Sequence, residues 1–249
     1  MAENQSEKPV HADLTELYHH PEALHSDLIS HLRDGPVGKM IHHPLLINVL
    51  IMPGYHKVDN MMYRHRKDQV AESWRDRDWS SYIALHERPY RAEALQRILS
   101  MTDLPLDPQA TWKLIKTVWI DSENVDEHDR LWNSLWKIAT TELTLDVNER
   151  KAFDELPDPV PVWHGLERKD RELLGVSWTT DKGIAEWFAQ RFARSNKRPA
   201  FIASGFVSKE HVRAYLLGRG EYEIITFPEK VLKIVVEDCT STGHYPSRP

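Results

Sequence analysis

The sequence predicts an α+β protein, with a helical N-terminal region at residues 1–156 and a small mixed domain at residues 157–249. Apolar side chains recur at helical spacing through most of the first region. After it, the chain changes to short β-type runs separated by glycine and proline. Pro157, Pro159 and Pro161 mark the boundary, because proline stops a helix and holds the preceding residue in extended backbone.

The composition is that of an ordinary soluble protein. Of 249 residues, 41% are hydrophobic and 28% are charged, and the net charge is −6. This acidic balance argues against general binding of nucleic acid by phosphate neutralisation. Cys239 is the single cysteine, which excludes an intramolecular disulfide and fits a reducing compartment. No apolar run reaches the roughly 20 residues of a membrane span, and the N-terminus lacks signal-peptide features. We therefore expect a cytoplasmic protein without a membrane partner.

The N-terminal region contains several predicted helices and one ambiguous run. Leucines at helical spacing predict helical structure over residues 13–32, split at Pro21 and ended by Gly35-Pro36. The apolar run 40–52 fits either a buried strand or a buried helical turn. Asp107 followed by Pro108 predicts a capped helix start. Further helical segments are predicted at residues 57–78, 80–86, 91–101, 127–138 and 144–156.

The C-terminal domain combines short strands with two helices. One helix is predicted over residues 182–193, capped by Thr180 or Asp181. A second is predicted over residues 209–216, capped by Ser208. Strands are predicted at residues 160–166, 175–179, 200–207, 222–227 and 231–236.

Two glutamates near the end of the chain are the first candidate site residues. If residues 222–226 form a strand, Glu221 and Glu223 project to the same face, since side chains alternate along a strand. One carboxylate could then hold a ribose hydroxyl while the other accepts a proton. Gly218 and Gly220, just upstream, permit a tight turn. The alternative is a hairpin with two solvated glutamates.

Two earlier segments supply polar groups that a nucleotide could use. His164 could bind a ribose or phosphate, and Gly165 would allow a ligand close to the backbone. Ser177-Trp178-Thr179 offers hydroxyls, and Phe188 offers a ring for stacking. Each has a structural alternative, in which His164 satisfies a backbone carbonyl, the hydroxyls cap the following helix and Phe188 belongs to the core.

The order of these segments resembles the ADP-ribosyltransferase superfamily. The strand with a polar residue and glycine, the Ser-x-Thr-Thr before a helix, and the Glu-x-Glu after a glycine-rich turn carry the resemblance, over residues 159–237. It is similar to the arginine–serine–glutamate branch, found in toxins and in phage-encoded or bacterial proteins. The resemblance implies a split β-sheet, NAD bound in a cleft between two small sheets, and transfer of ADP-ribose with release of nicotinamide.

The resemblance also implies roles for individual residues. Glu223 matches the catalytic glutamate, and Glu221 matches the glutamate that orients or deprotonates an acceptor, most often an arginine guanidinium. Ser177 and Thr179 match the Ser-Thr-Ser element. His164 stands where the branch has arginine, and a histidine there is typical of the diphtheria-toxin and poly-ADP-ribose-polymerase branch. The tyrosine which that second branch has in its middle motif is absent, because Ser177-Trp178-Thr179 occupies this place.

The sequence therefore predicts a mono-ADP-ribosyltransferase that uses NAD as substrate. The expected acceptor is a macromolecule, foremost an arginine in a protein, with nucleic acid as the alternative. Two other hypotheses remain open: an NAD glycohydrolase, and a catalytically silent binding module that retains the fold. No metal site is predicted, because the adjacent pairs His19-His20 and His42-His43 point apart and no other ligands stand at zinc-like spacing.

Overall fold

The structure is a computed structural model that describes residues 22–101, 107–122, 125–196 and 198–245. It contains helices and antiparallel sheets, which confirms the mixed α+β class. Its internal contacts divide the chain into an N-terminal unit, Met1–Met101, and a C-terminal unit, Thr102–Pro249. The helices of residues 108–154 therefore belong to the same unit as the large sheet, whereas the sequence analysis assigned them to the N-terminal region.

The N-terminal unit joins a small sheet to three longer helices. Its elements, in chain order, are α1 Ser26–Ile29, β1 Leu32–Gly35, β2 Gly38–His43, β3 Leu46–Leu50, α2 His56–Arg75, α3 Trp79–Ala84, a 3-10 turn Arg88–Tyr90, and α4 Arg91–Leu99. The three strands are antiparallel in the order β1-β2-β3. Leu28, Ile41, Leu46 and Tyr63 are core residues of this unit, and the side chain of Asp78 caps α3 by accepting from the Ser81 amide.

Two expectations for this unit are settled by strand pairing. The ambiguous run 40–52 forms the end of β2 and all of β3. The predicted helix over 13–32 is wrong within the described residues, where only α1 is helical, and residues 13–21 lie outside them. Leu32 instead begins β1 and pairs with Ile41. Burial against a neighbouring strand overrides the local helical spacing of the leucines.

Four helices open the C-terminal unit. They are α5 Pro108–Asp121, α6 Asp129–Ile138, α7 Thr141–Thr144 and α8 Val147–Asp154, with a 3-10 turn at Val125–His128. Asp107 caps α5 as predicted, because its carboxylate accepts from the Ala110 amide at 2.8 Å. The cap of α8 is Asp146 in a reciprocal capping box with Glu149, whereas the predicted start at residue 144 is the last residue of α7.

A six-stranded antiparallel sheet forms the rest of this unit. Its elements are β4 Val160–Leu166, a 3-10 turn Arg171–Leu173, β5 Ser177–Thr179, α9 Lys182–Asn196, β6 Phe201–Val207, a 3-10 turn Lys209–His211, β7 Ala214–Leu216, β8 Glu223–Ile225, a 3-10 turn Pro228–Lys230, and β9 Leu232–Asp238. The strand order is β7-β8-β5-β4-β6-β9.

The centre of this sheet has the weakest pairing. Strand β4 pairs with β6 from Val160 to Leu166, but it pairs with β5 only through Trp163 and Thr179. The expected split sheet is therefore one hydrogen-bonded sheet with a single residue pair between two three-stranded halves. This narrow junction lies beside the cleft described below.

The predicted helix over residues 209–216 is wrong. The chain makes one 3-10 turn and then forms β7, in which Tyr215 pairs with Ile224 of β8. Every residue of β7 is buried. A strand buried in this way has no alternating pattern, so its apolar run is indistinguishable from one turn of a buried helix.

Candidate active-site cleft

The C-terminal unit contains a cleft of about 820 Å³. Its volume lies within the roughly 300–1,000 Å³ that is usual for small-molecule sites. The eight residues singled out from the sequence all line it: His164, Gly165, Ser177, Trp178, Thr179, Phe188, Glu221 and Glu223. Three segments that are distant in sequence thus meet at one concave surface.

Glu223 is the most deeply buried polar group of this cleft. It is the first residue of β8, stands opposite Thr179 in β5, and is 5% exposed. Ser177 lies two residues from Thr179 and therefore on the same face of the sheet. Its hydroxyl donates to Glu223 Oε1 at 2.5 Å, and the indole N–H of Trp119 donates to the same oxygen at 3.1 Å. The carboxylate is therefore fixed from two sides.

The electrostatic environment of Glu223 opposes its ionisation. Burial raises the pKa of this carboxyl, and the neighbouring Glu221 raises it further. The hydrogen bonds from Ser177 and Trp119 and the positive charge of Arg219 act in the opposite direction. Burial is the largest of these effects, so the pKa of Glu223 is raised overall. A ligand that brings positive charge into the cleft would therefore stabilise the ionised form of this carboxylate.

Glu221 reaches the cleft by a route different from the predicted one. It precedes β8, and the residue between the two glutamates, Tyr222, has a positive φ of 48°. Strand alternation therefore does not relate the two carboxylates. Glu221 pairs instead with Arg219, with 3.0 Å between Oε2 and Nη2. Burial raises the pKa of Glu221, and the charge of Arg219 lowers it.

Thr179, the last residue of β5, and Thr180, which follows it, bind the backbone around the two glutamates. The hydroxyl of Thr179 donates to the Glu221 carbonyl at 2.7 Å, and the amide of Thr180 donates to the Tyr222 carbonyl at 3.1 Å. A positive φ at a tyrosine is strained, and it persists only where surrounding contacts enforce it. Thr179 thus has a positioning role in this turn.

His164 faces the junction between β4 and β5. Its Nδ1 lies 2.7 Å from the carbonyl oxygen of Ser177. A carbonyl oxygen only accepts, so Nδ1 carries the proton of this hydrogen bond, and Nε2 is the acceptor nitrogen of the neutral ring. The ring is tilted against that of Trp178, with 5.5 Å between the ring centroids. His164 therefore bonds to a backbone carbonyl, as its structural alternative predicted, and this bond also fixes the orientation of its ring at the cleft.

The structure explains why residue 165 is a glycine by a packing requirement that the sequence did not indicate. A Cβ atom at this position would lie 2.6 Å from both the Ala185 carbonyl oxygen and the Ala189 amide nitrogen of α9. The glycine therefore lets α9 pack directly on β4. Phe188, on the same helix, lines the cleft and contacts the ring of Trp187.

Trp178 belongs chiefly to the hydrophobic core. It is 1% exposed and packs with Val162 and Ile224, and its indole N–H donates to the Gly175 carbonyl at 3.1 Å. The helix that follows is capped by Asp181, whose carboxylate accepts from the Gly183 and Ile184 amides. The Thr179 hydroxyl also accepts from the Asp181 amide at 3.0 Å, so it supports the start of this helix as well as the turn, whereas the Ser177 hydroxyl serves the cleft.

Trp119 and Arg219 are the two important cleft residues that the sequence analysis missed. Trp119 lies in α5, the helix predicted to begin after Asp107, and no site role was predicted for it. In the structure it lies edge-on to Trp132 and Trp136, with ring centroids 5.1 and 5.3 Å away. Its N–H reaches Glu223 across 104 residues of sequence, and no local pattern signals such a contact.

Comparison of the chain with protein-family models, with curated proteins and with solved structures finds no match. Within the described ranges, no group of three or more His, Cys, Asp or Glu side chains could hold a metal ion. Nor does that part of the chain contain a helix long and apolar enough to cross a membrane.

Proposed function

We propose that the protein is a mono-ADP-ribosyltransferase, which transfers ADP-ribose from NAD to an acceptor on a macromolecule. The observation that carries this proposal is the buried carboxylate of Glu223, held by Ser177 and Trp119 inside a cleft that His164 and Glu221 also line. A fixed, desolvated carboxylate stabilises a positive charge that develops beside it. The oxocarbenium-like ribose formed during cleavage of NAD is such a charge.

The chemistry begins with the bond between ribose C1′ and the nicotinamide nitrogen. When this bond breaks, its electron pair stays on nitrogen, and the positively charged pyridinium becomes neutral nicotinamide. The positive charge moves to C1′ and its ring oxygen. Both protein donors to Glu223 use Oε1, which directs the ribose towards Oε2. Binding of the cationic nicotinamide ring favours the ionised carboxylate, offsetting the burial that raises its pKa.

The remaining cleft residues have complementary roles. Nε2 of His164 can accept a hydrogen bond from a ribose hydroxyl, and the ring of Phe188 can pack on a flat base. Glu221 is the group placed to receive a proton from the acceptor that attacks C1′, because its pKa is raised by burial. An arginine guanidinium is the acceptor that a second carboxylate recognises best, which favours a protein over a nucleic acid.

Transfer of label from adenine-labelled NAD to lysate protein and nucleic acid tests the proposal, with nicotinamide release measured in parallel. The matched variants are Glu223→Gln, which retains an oxygen for both donors, and Glu237→Gln, an exposed position on β9. We expect Glu223→Gln to lower nicotinamide release by about 10²–10³-fold, the usual loss for one preorganised electrostatic group. Glu237→Gln should match the wild type.

Each alternative gives a distinct experimental result. Nicotinamide release without a labelled macromolecule would identify an NAD glycohydrolase. Calorimetry that shows NAD binding without turnover would identify a silent binding module. Equal label with wild type and Glu223→Gln would contradict the assignment of the catalytic residue.

A further inference from the structure

The acceptor side of the cleft is occupied by a side chain of the protein itself. Nη2 of Arg219 lies 3.0 Å from Oε2 of Glu221, and both residues line the cleft together with Glu223. The Glu221 side chain is 15% exposed and that of Arg219 is 38% exposed. The guanidinium is thus held by a largely buried carboxylate while it stays open to the cleft.

Hydrogen bonds hold both ends of the turn that carries Arg219. The Gly220 amide donates to the Leu217 carbonyl at 2.8 Å, which closes a tight turn with Arg219 near its tip. Gly220 has a φ of 68°, a conformation that glycine adopts without strain. The Glu221 carbonyl at the other end is fixed by the Thr179 hydroxyl. Arg219 therefore returns to the cleft because of the backbone path as well as the ion pair.

The positive charge of Arg219 is felt at both carboxylates. It opposes the burial that raises the pKa of Glu221, and it acts in the same direction on Glu223. A second positive charge that acts on Glu221 is that of Arg191, whose guanidinium lies over the ring of Trp187 on α9. Arg219 has the larger effect on Glu221, makes an ion pair with it and lines the cleft.

We propose that Arg219 is an internal acceptor, a site at which the protein ADP-ribosylates itself and which competes with external arginines for Glu221. This inference rests on the proposed transferase function. Nη2 of Arg219 would attack ribose C1′ of NAD as the bond to nicotinamide breaks, and nicotinamide leaves with the electron pair of that bond. The proton lost from Nη2 passes to the carboxylate of Glu221. The products are neutral nicotinamide and an N-glycosidic bond between Arg219 and ADP-ribose.

The reaction limits itself. The attached ADP-ribose brings two phosphate groups into a cleft that already contains Glu221 and Glu223. The modified guanidinium stays on the same side chain beside Glu221 and now carries the attached ADP-ribose. A modified chain therefore no longer offers this carboxylate to a second guanidinium, so automodification switches off transfer to other proteins.

The test incubates the full chain with NAD, locates ADP-ribose by peptide mass spectrometry, and measures nicotinamide release with agmatine as a soluble guanidinium acceptor. We expect an adduct on Arg219 and none on Arg168, which lines the same cleft and serves as the internal control. The half-time of self-modification should not change over a tenfold dilution of the protein, because the acceptor is on the same chain. A half-time that lengthens on dilution would overturn the intramolecular step.

Arg219→Lys keeps the positive charge beside Glu221 but removes the guanidinium. We expect self-modification to be lost, and agmatine modification to rise about two- to fivefold, since a tethered competitor acts at about millimolar effective concentration. Agmatine modification that falls would show that Arg219 only positions Glu221, and would overturn the proposal. Agmatine labelling by the wild type with no adduct on Arg219 would overturn it while the transferase function stands. No nicotinamide release under any condition would refute both.

Discussion

Replacement of Glu223 by glutamine should make the protein more stable at neutral pH while it lowers the proposed activity by about 10²–10³-fold. The amide is nearly the same size as the carboxyl group, and its oxygen can accept from both Ser177 and Trp119 as Oε1 does. The substitution therefore removes the charge and leaves the packing. Any change in stability then reports the cost of a buried negative charge.

The magnitude follows from two opposing contributions. An ionised carboxylate buried in protein costs several kcal/mol, and removal of the charge recovers this. Two hydrogen bonds to a charged acceptor, at about 1.5–3 kcal/mol each, become neutral bonds at about 0.5–1.5 kcal/mol each. The net expectation is a stabilisation of about 1–3 kcal/mol at pH 8. For a chain of this size it corresponds to a rise in melting temperature of about 3–9 °C.

The sign depends on pH in a defined way. Because burial raises the pKa of Glu223 in the folded state, the folded protein holds this proton more tightly than the unfolded chain does. The contribution of Glu223 to stability is complete below the unfolded value of 4.5 and is lost as pH rises through the folded pKa. Glu223→Gln has no such loss, so its advantage should be near zero at pH 4 and grow towards pH 8.

Scanning calorimetry of both proteins between pH 4 and pH 8 measures this difference. Glu237→Gln is the control, and as an exposed substitution it should stay within about 0.5 kcal/mol of wild type at every pH. A Glu223→Gln protein that is equally stabilised at pH 4 and pH 8, or that is destabilised at pH 8, would refute the inference that the buried negative charge of Glu223 destabilises the folded protein. That result would also remove the electrostatic argument for its role.

Two further substitutions test the surroundings of the cleft. Trp119→Phe removes one hydrogen-bond donor that favours the ionised form of Glu223. Nicotinamide release should therefore fall about tenfold, a loss of about 1.4 kcal/mol of transition-state stabilisation, and its pH profile should move to higher pH. A slower rate with an unmoved pH profile would show that the indole contributes only packing. Gly165→Ala places a methyl group 2.6 Å from backbone atoms of α9 and should cost about 1–3 kcal/mol by calorimetry. Gly175→Ala meets no atom within 4 Å and should be nearly neutral; equal losses at the two glycines would contradict the packing argument.

Much of the local structure could be predicted from the sequence. The cap at Asp107, the helix after Asp181 and the strand 160–166 depend on short-range chemistry, and the structure confirms them. The resemblance implied one cleft for the site residues, and the structure brings them to one cleft, although Glu221 reaches it outside strand β8. These features need little knowledge of distant parts of the chain.

The errors share a different physical origin. Leu32 lies in a strand because Ile41 pairs with it, and Tyr215 does so because Ile224 pairs with it. Nor could the positive φ of Tyr222 be inferred, since contacts from another strand impose it. In each case a non-local partner decided a conformation for which the local sequence had a plausible alternative.

The hydrogen bond between Trp119 and Glu223 also has a consequence for how the protein folds. It closes a loop of 104 residues, so forming it costs more chain entropy than forming a local contact. We therefore expect the cleft to be completed late in folding. A fragment that begins at residue 157 would contain every residue from His164 to Glu223, yet its carboxylate would lack the indole donor. Secondary structure could form in that fragment without the electrostatic environment on which the chemistry depends.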